Sequence, residues 1–268
     1  MGQPTEVMHS RWTSSGGLPL HARVAEQPGT EGHPPIVLVH GLVMSSRYLL
    51  PTARLLAPRW RVHVPDLPGY GKSGKPDHAL DVVELAEALA AYLAAVEIPR
   101  AALVANSLGC QIAAEFAARH PAQAVCLVLL GPTVDPRSRP VINLLLRWLM
   151  NVPLEPPSLH LVAIRDVLDM GPLRSYQTLR HMMRHHIEST LPLVAAPTLV
   201  VRGSRDSTVT REWAEQVVSL LPRGRLAEIP GAPHTINYNS PERTVALVNA
   251  FVRASCSTAS GVVMQDAG

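Results

Sequence analysis

Apolar residues in the chain form short continuous runs, separated by longer stretches in which they recur at helical spacing. A continuous run of Val, Leu and Ile is typical of a strand that is buried on both faces of a sheet. Such runs occur at residues 36–39, 61–64, 101–105, 125–130, 198–202 and 225–229. Two further strand candidates within residues 7–24 flank the Ser-Ser-Gly-Gly stretch 14–17, and together they predict a hairpin.

The amphipathic stretches between these runs predict helices. The helices are expected at residues 46–56, 81–96, 108–119, 210–221 and 240–252. In the last one Ser240 precedes Pro241, which is the usual order of an N-cap and a first helical residue. Because strands alternate with helices, the connections are crossovers, and the sequence predicts an α/β fold with a mostly parallel sheet and helices on both faces.

The alternation of strands and helices is interrupted between residues 134 and 195. This segment is rich in proline and has helical patterns at 141–150, 158–170 and 173–187. Its apolar residues are too few for a separate core, so we predict a helical cap, or lid, packed on the sheet domain. The predicted units are an α/β core of residues 1–133 and 196–253, the cap of residues 134–195, and a tail of residues 254–268 whose small and polar residues predict disorder.

Charge and cysteine content argue against several classes of function. The net charge is +3, and the arginines are scattered without the basic tract typical of nucleic-acid binding. Cys110, Cys126 and Cys256 are widely spaced and odd in number, which argues against a disulfide framework or a zinc site. No secretory signal and no membrane-spanning apolar stretch are visible. We expect a cytoplasmic monomer or homodimer that binds a small molecule, with no nucleic-acid or membrane partner.

One corner of the predicted sheet carries a candidate nucleophile. In the stretch LVANSLGCQ, residues 103–111, a strand runs into an Ala-rich helix through Ser107. A serine on such a sharp turn can act as a nucleophile when small residues stand two positions before and after it, and these are Ala105 and Gly109. The alternative is a serine that caps the helix with its side chain.

The residues after strand 36–39 are candidates for binding an oxyanion. Acyl transfer requires N–H donors aimed at the developing oxyanion, one from the residue after the nucleophile and one from a loop after an earlier strand. Here these residues are Leu108 and Leu42, with Val43 as the second choice in the loop. We interpret His40 as a structural histidine that fixes this loop.

An acid and a base follow the last two predicted strands. Asp206 comes directly after the first of these strands, and His234 lies in a Gly- and Pro-rich loop after the second. A carboxylate there can orient a histidine that acts as general base. Asp135 also follows a strand and is the rival acid. The chain order Ser107, Asp206, His234 matches one hydrolase fold and differs from the chymotrypsin and subtilisin orders.

These stretches resemble a known enzyme superfamily. VLVHGL, DLPGYGKSG, VANSLGCQIAAEFAARHP, LVVRGSRD and IPGAPHTINYNSPE look like motifs of the α/β-hydrolase fold, over residues 10–253. The resemblance implies an eight-stranded, mostly parallel sheet, a helical cap after the sixth strand, and no cofactor or metal. The roles that it implies are Ser107 as nucleophile, Asp206 as acid, His234 as base, and Leu42 and Leu108 as oxyanion donors.

The Asn-Ser-x-Gly turn resembles a subgroup of capped esterases and C–C bond hydrolases. The chain departs from that subgroup by Ala105 and Cys110 in place of glycines and by Thr235 in place of a tryptophan. We expect hydrolysis of a carboxylic ester with a small to medium, partly apolar acyl group. Hydrolysis of a C–C bond, a lactone or a thioester on the same residues is an alternative. A ligand-binding receptor or scaffold of the same fold is an alternative of another class.

Candidate contacts to the substrate come from the loops and from the predicted cap. The candidates are Val43, Asn106, Trp148, Arg180 and Arg184. On the same predicted helix, His181 and His185 have the spacing of zinc ligands, but the glutamate of an H-E-x-x-H motif is absent. We therefore interpret these histidines as part of a solvated helix face.

A glycine-rich stretch at residues 69–74 fits G-x-G-x-x-G and ends in Gly-Lys-Ser-Gly. A phosphate-binding loop needs a glycine where Asp66 stands, and a dinucleotide fingerprint must open a helix, whereas Pro76 follows here. We interpret the stretch as a turn near the site, with Asp66 as a structural residue, and expect no nucleotide.

Overall fold

The computed structural model describes residues 8–30, 32–139 and 141–262. Within them it contains an eight-stranded sheet in the order β1-β2-β4-β3-β5-β6-β7-β8. The strands are β1 (His9–Ser15), β2 (Leu18–Ala25), β3 (Ile36–Val39), β4 (Val62–Pro65), β5 (Ala101–Asn106), β6 (Ala124–Leu130), β7 (Thr198–Gly203) and β8 (Gly224–Ile229). The pairs β1/β2 and β2/β4 are antiparallel, and all other neighbours are parallel. The mostly parallel sheet expected from the sequence is confirmed.

Helices connect the strands and also fill the segment between β6 and β7. They are α1 (Leu50–Leu56), α2 (Val82–Ala95), α3 (Leu108–Arg119), α4 (Val141–Asn151), α5 (Pro157–Met170), α6 (Pro172–Arg184), α7 (Ile187–Thr190), α8 (Arg211–Leu220), α9 (Ile236–Asn239) and α10 (Pro241–Val262). Short 3-10 turns occur at Ser46–Leu49, Pro136–Ser138, Val152–Leu154 and Leu191–Leu193. The segment predicted as a cap is therefore helical, and its role as a lid stays a prediction.

Each side of the sheet has its own apolar core. In β3, Val37 and Val39 belong to the cluster that includes residues of α2, α3 and α8, whereas Ile36 and Leu38 belong to the cluster with α1 and α10. All four side chains are fully buried. Because helices cover both faces of the central strands, the sequence there shows continuous apolar runs and no alternation with polar residues.

The predicted hairpin is formed by β1 and β2. Gly16 and Gly17 have φ of 57° and 81°, and two successive positive φ angles are what a two-residue hairpin turn requires. Ser15 then pairs with Leu18 across the turn.

The glycine-rich stretch 69–74 folds around the carboxylate of Asp66. That carboxylate accepts a hydrogen bond from Ser46 N at 2.7 Å and lies 2.8 Å from His21 Nδ1. Gly71, with φ of 50°, approaches so closely that a Cβ there would lie 2.5 Å from Asp66 Oδ2. These contacts support the structural role expected for Asp66.

The end of the chain differs from the sequence-based expectation. We predicted disorder for residues 254–268, but α10 continues to Val262. Val252 and Ser255 are buried, and Cys256 packs against the core on that side of the sheet. Small residues lower the hydrophobicity of a segment without breaking a helix, and packing of one helix face against a core stabilises it. Residues 263–268 of the predicted tail lie outside the described residues.

The close approach of α3 to β3 provides a test of the fold. A Cβ on Gly109 would lie 2.5 Å from Val39 O and 2.8 Å from His40 O. Because Gly109→Ala must push the helix away from the strand, we expect it to lower the free energy of unfolding by about 2 kcal/mol or more. Urea unfolding followed by circular dichroism measures this change.

Gly32→Ala is the matched control, since a Cβ on Gly32 meets no atom within 4 Å. Its stability should equal that of the wild type. Equal stability of the Gly109→Ala and Gly32→Ala variants would contradict the packing of α3 on β3 described above.

Candidate active site

Ser107 lies at the turn between β5 and α3 in a strained backbone conformation. Its φ and ψ are 57° and −121°, and a non-glycine residue held in a sparsely populated region costs about 1–3 kcal/mol. Two backbone hydrogen bonds hold the turn, from Ser107 N to Leu130 O at 3.1 Å and from Cys110 N to Ser107 O at 2.9 Å. The Ser107 side chain makes no capping hydrogen bond within the described chain. The alternative of a helix-capping serine therefore does not apply to this structure.

The space beside this turn is limited. A Cβ on Gly41 would lie 3.2 Å from both Ser107 Cβ and Asn106 O. Ala105 ends up fully buried near the end of β5, in the core that includes α3. Because Ala105 is part of an extended strand, its methyl group fits where the usual motif has glycine.

The loop of residues 40–44, which we call the oxyanion loop, runs beside Ser107. Val43 has φ of 53° and turns the chain there. The N–H of Leu42 donates to no acceptor among the described residues. Leu108 is the first residue of α3, where an N–H has no acceptor within the helix. Both predicted donors therefore have N–H groups that a developing oxyanion could engage.

His40 anchors the oxyanion loop, as the sequence predicted. Its ring is fully buried, and Nε2 accepts a hydrogen bond from Leu67 N at 3.1 Å. Burial lowers the pKa of His40 below the ordinary value of 6.5, so the ring is neutral near pH 7.

A buried tyrosine connects the oxyanion loop to the Ser107 turn. Tyr48 Oη accepts a hydrogen bond from Gly41 N at 2.7 Å and donates one to Asn106 Oδ1 at 3.1 Å. Asn106 Nδ2 donates to Leu130 O at 2.8 Å and, at the longer distance of 3.5 Å, to His234 O. Sequence reasoning missed Tyr48, because no local motif marks a tyrosine whose partners are distant along the chain.

His234 and Asp206 form a buried pair. His234 Nδ1 lies 2.8 Å from Asp206 Oδ2, and the other carboxylate oxygen accepts hydrogen bonds from Thr208 N at 2.8 Å and Val209 N at 3.0 Å. The Asp206 side chain is fully buried, and that of His234 is 11% exposed. A carboxylate held in this way favours the tautomer with the proton on Nδ1 and leaves Nε2 as the acceptor.

The rival acid, Asp135, has different partners. Its Oδ1 accepts a hydrogen bond from Arg137 N at 2.9 Å, and its Oδ2 lies 3.9 Å from Arg147 Nη1. It is the N-cap residue of the turn Pro136–Ser138. The structure therefore pairs His234 with Asp206.

The loops that carry the acid and the base contact each other through their backbones. Arg205 N donates to Ala232 O at 2.9 Å. Gly203 lies so near that a Cβ there would be 2.2 Å from the same oxygen. The positions of Asp206 and His234 are thus coupled by backbone contacts as well as by their own hydrogen bond.

Ser107 Oγ and the His234 ring do not form a hydrogen bond in this structure. The turn that carries Ser107 and the loop that carries His234 are linked by the hydrogen bond from Asn106 Nδ2 to His234 O. Ser107, Asp206 and His234 follow the carboxyl ends of the parallel strands β5, β7 and β8, which lie on one edge of the sheet.

Polar residues of the segment between β6 and β7 reach each of the loops at this edge. The bonds run from Asn151 Nδ2 to Thr208 Oγ1 at 2.7 Å, from Thr235 N to Glu155 Oε1 at 3.1 Å, and from Ser45 N to Asp166 Oδ2 at 2.8 Å. Glu155 also bonds to the side chains of Thr235 and Asn239. The inserted helices therefore hold the residues next to Asp206, next to His234 and at the end of the oxyanion loop.

The predicted substrate contacts differ in their position and exposure. Val43 and Asn106 lie in the oxyanion loop and at the Ser107 turn. Trp148, Arg180 and Arg184 are instead exposed on α4 and α6, and among the described residues none of them bonds to Ser107, Asp206 or His234. Contact of these three residues with a substrate stays a prediction, since helical spacing predicts a helix but not which of its faces meets the sheet.

The predicted solvated histidine face also differs in part. His185 is 11% exposed and its Nε2 lies 2.9 Å from Glu115 Oε1. Thr190 donates to the same carboxylate oxygen at 2.5 Å. A buried carboxylate on α3 thus turns His185 inward.

The surroundings of His234 raise its pKa. Burial alone lowers the pKa, but the charge of Asp206 and its hydrogen bond outweigh burial, and the charge of Glu155 adds to them. The pKa of His234 consequently lies above the ordinary value of 6.5. A strained serine, a histidine paired with a buried carboxylate and adjacent N–H donors form a set of groups suited to acyl transfer.

Comparison with known proteins gives results consistent with this chemistry. The sequence profile of the alpha/beta hydrolase family matches residues 36–247. A 2-(acetamidomethylene)succinate hydrolase of Mesorhizobium japonicum is 24% identical over 271 residues, which cover 91% of this chain and 95% of that enzyme. Polyketide synthase ThaQ of Burkholderia thailandensis is 30% identical over 264 residues and covers 88% of this chain, but the chain spans only 12% of that synthase.

A solved structure shows the same fold. The crystal structure of a membrane phospholipase A, described as a bacterial virulence factor, superimposes with a TM-score of 0.80 at 26% identity. The match covers 93% of this chain and 87% of that one.

The pairing of His234 with Asp206 can be tested by NMR titration of the His234 ring protons, assigned by their absence in the His234→Ala variant. We expect a pKa above 6.5 in the wild type and a lower pKa in Asp206→Asn, because the raising charge is removed. Asp135→Asn is the control and should leave the pKa unchanged. A decrease in Asp135→Asn but not in Asp206→Asn would reverse the assignment.

Glu155 provides a second, graded test of the same pKa. Glu155→Gln keeps one of the two acceptor oxygens but removes a charge that raises the pKa of His234, so we expect a decrease smaller than that in Asp206→Asn. Glu215→Gln, which changes an exposed residue of α8, is the matched control. An unchanged pKa in Glu155→Gln would show that the charge of Glu155 does not reach His234.

Proposed function

The chain belongs to the alpha/beta hydrolase family and is a hydrolase; within that family we propose that it cleaves a carboxylic ester through an acyl-enzyme on Ser107. The observation that carries the proposal is the strained Ser107 backbone on the same sheet edge as the His234–Asp206 pair. A conformation that costs free energy is retained where the surrounding structure enforces it, and such residues cluster at active sites.

In the proposed mechanism His234 Nε2 accepts the proton of Ser107 Oγ, and the oxygen attacks the carbonyl carbon of the ester. The N–H groups of Leu42 and Leu108 bind the oxyanion that forms. When the tetrahedral intermediate collapses, the leaving alkoxide takes the proton from His234 and departs as an alcohol. A water molecule, deprotonated by His234, then attacks the acyl-enzyme, and as the second intermediate collapses His234 returns this proton to Ser107 Oγ and the acid product is released. Asp206 stays ionised throughout and stabilises the protonated histidine.

Two observations support an ester with an apolar acyl group as the substrate. The similarity to a phospholipase supports an ester bond, and the apolar side chains of Leu42 and Val43 beside the Ser107 turn are only partly buried and suit an apolar acyl group. A panel of p-nitrophenyl esters, lactones, thioesters and ring-cleavage diketones compares the candidate bonds directly. A higher kcat/KM for one of the other classes would replace the ester in this proposal while leaving the catalytic residues unchanged.

A receptor or scaffold of the same fold is distinguished by chemical labelling. A fluorophosphonate probe reacts with an activated serine, so we propose that it labels Ser107 in the native protein. Absence of labelling, together with tight binding of a small molecule, would favour the receptor.

The decisive variant is Ser107→Ala. We expect it to lower kcat for p-nitrophenyl ester hydrolysis by at least about a thousandfold, because the acyl-enzyme cannot form, and to leave the melting temperature nearly unchanged. Ser219→Ala, which changes an exposed serine of α8, is the matched control and should retain full activity.

Since the base must be neutral, wild-type kcat/KM should fall as the pH drops through the raised pKa of His234. Wild-type turnover in a rigorously purified Ser107→Ala variant would refute the mechanism.

A further inference from the structure

The outward sides of α5 and α6 are apolar. Five large side chains on them are between 58% and 75% exposed. They are Leu161, Ile164, Leu168, Leu173 and Tyr176, and we call this set the outer apolar face. The spacing of three, four and three residues places the members of each helix on a single stripe. The two helices are joined at Gly171 and pack against each other, and we take the two stripes together as one surface.

Polar contacts on the inner side fix this orientation. Asp166 of α5 is fully buried, accepts a hydrogen bond from Ser45 N at 2.8 Å and forms an ion pair with Arg47. Rotation of α5 to bury Leu161 and Leu168 would pull this carboxylate away from its partners, and an unpaired buried charge is strongly destabilising. α5 therefore buries this carboxylate beside Leu159 and Met170, while the apolar stripe on its other side faces solvent.

α4 also has an exposed apolar side. Ile142, Leu145, Leu146 and Leu149 are exposed. On the opposite side of the helix, Asn151 donates to Thr208 and Arg147 Nη1 to Ser207 O. Exposed apolar surface thus recurs on successive helices of one segment, and contiguous exposed apolar surface commonly marks an interaction site.

The unpaired charges beside the outer apolar face are positive. Arg165 on α5 and Arg180 and Arg184 on α6 are exposed, and among the described residues none of the three forms an ion pair. The two acidic residues of α5, Asp166 and Asp169, are both paired with Arg47. Helical spacing puts Arg180 and Arg184 on the continuation of the stripe that begins with Leu173 and Tyr176.

From this combination we propose that the outer apolar face binds the surface of an anionic lipid bilayer. Apolar side chains flanked by arginines match the boundary between acyl chains and negatively charged headgroups, and Tyr176 has the amphipathic ring that favours this depth. A second copy of the chain matches less well, because a two-fold contact through the same face would bring the arginines of both copies together. In the described part of the chain no helix has the length and apolar content to cross a bilayer. The binding we propose is peripheral and needs no such helix.

The sequence led us to expect no membrane partner, on the ground that no segment spans a membrane. A helix that lies in the plane of the membrane–water interface can bind a bilayer without spanning it, so the absence of a spanning segment does not exclude such binding. The proposal is also independent of the chemistry at Ser107, since it concerns binding alone and can be tested with the Ser107→Ala variant.

Cosedimentation of the full chain with lipid vesicles tests the proposal. We expect binding to vesicles of phosphatidylcholine mixed with phosphatidylglycerol, weaker binding to pure phosphatidylcholine, and a decrease as salt is added. The double variant Leu161→Ser, Leu168→Ser should lower the partition coefficient at least about tenfold. Substitution of Arg165, Arg180 and Arg184 by Gln should lower it by about fivefold for each arginine and remove the preference for the anionic vesicles.

Control variants come from α1, which lies elsewhere on the molecule. Leu55 is 42% exposed and Arg54 is exposed beside it, and Leu55→Ser and Arg54→Gln should leave vesicle binding unchanged. Circular dichroism establishes that every variant is folded. Failure of the wild type to bind anionic vesicles overturns the proposal, as does equal loss of binding in the α1 variants. Sedimentation velocity tests whether a second copy of the chain binds the outer apolar face instead. A wild-type protein that forms a dimer but does not bind vesicles, and whose dimer dissociates in the Leu161→Ser, Leu168→Ser variant, would assign the face to a second copy.

Discussion

The strained backbone of Ser107 is the constraint on which the arrangement of the candidate site depends. A serine at φ of 57° does not hold that conformation by itself, and the turn is kept in place by hydrogen bonds to β6 and by the tight fit of Gly109 on β3. The oxyanion loop fits against the same turn through Gly41, and Tyr48 joins the two by hydrogen bonds. The parallel sheet supplies the rest, because its carboxyl ends bring the loops after β5, β7 and β8 to one edge.

The helical segment inserted after β6 contacts the loops at this edge on one side and faces solvent on the other. Its inward side includes polar residues, and Asn151, Glu155 and Asp166 bind residues beside the acid, the base and the oxyanion loop. On α5 the inward position of Asp166 turns the opposite apolar stripe to solvent, and α4 also has an exposed apolar side. The buried and paired Asp166 therefore both holds the end of the oxyanion loop and fixes the exposed side of α5.

Prediction from the sequence succeeded where structure follows from local pattern. Continuous apolar runs located the central strands, and the double glycine located the hairpin, since both depend on residues near each other in the chain. The tail was predicted as disordered, yet part of it is helical, because contact with the core on one side of the sheet adds stability that composition does not reveal. Trp148, Arg180 and Arg184 were expected near the substrate and are exposed, because periodicity gives the two sides of a helix without saying which one faces the protein.

The sequence alone thus determined the class of fold, the edge on which Ser107, Asp206 and His234 lie, and the order in which they occur, since strand ends in a parallel sheet converge whatever the side chains around them. Only the tertiary structure decided that Asp206 and not Asp135 meets His234, that Tyr48 and Glu155 belong to the surroundings of the site, and that α4 and α5 turn their apolar sides outward. Each of these facts depends on a hydrogen bond or ion pair between residues far apart in the chain. Which pairs form is set by how the loops and helices pack together.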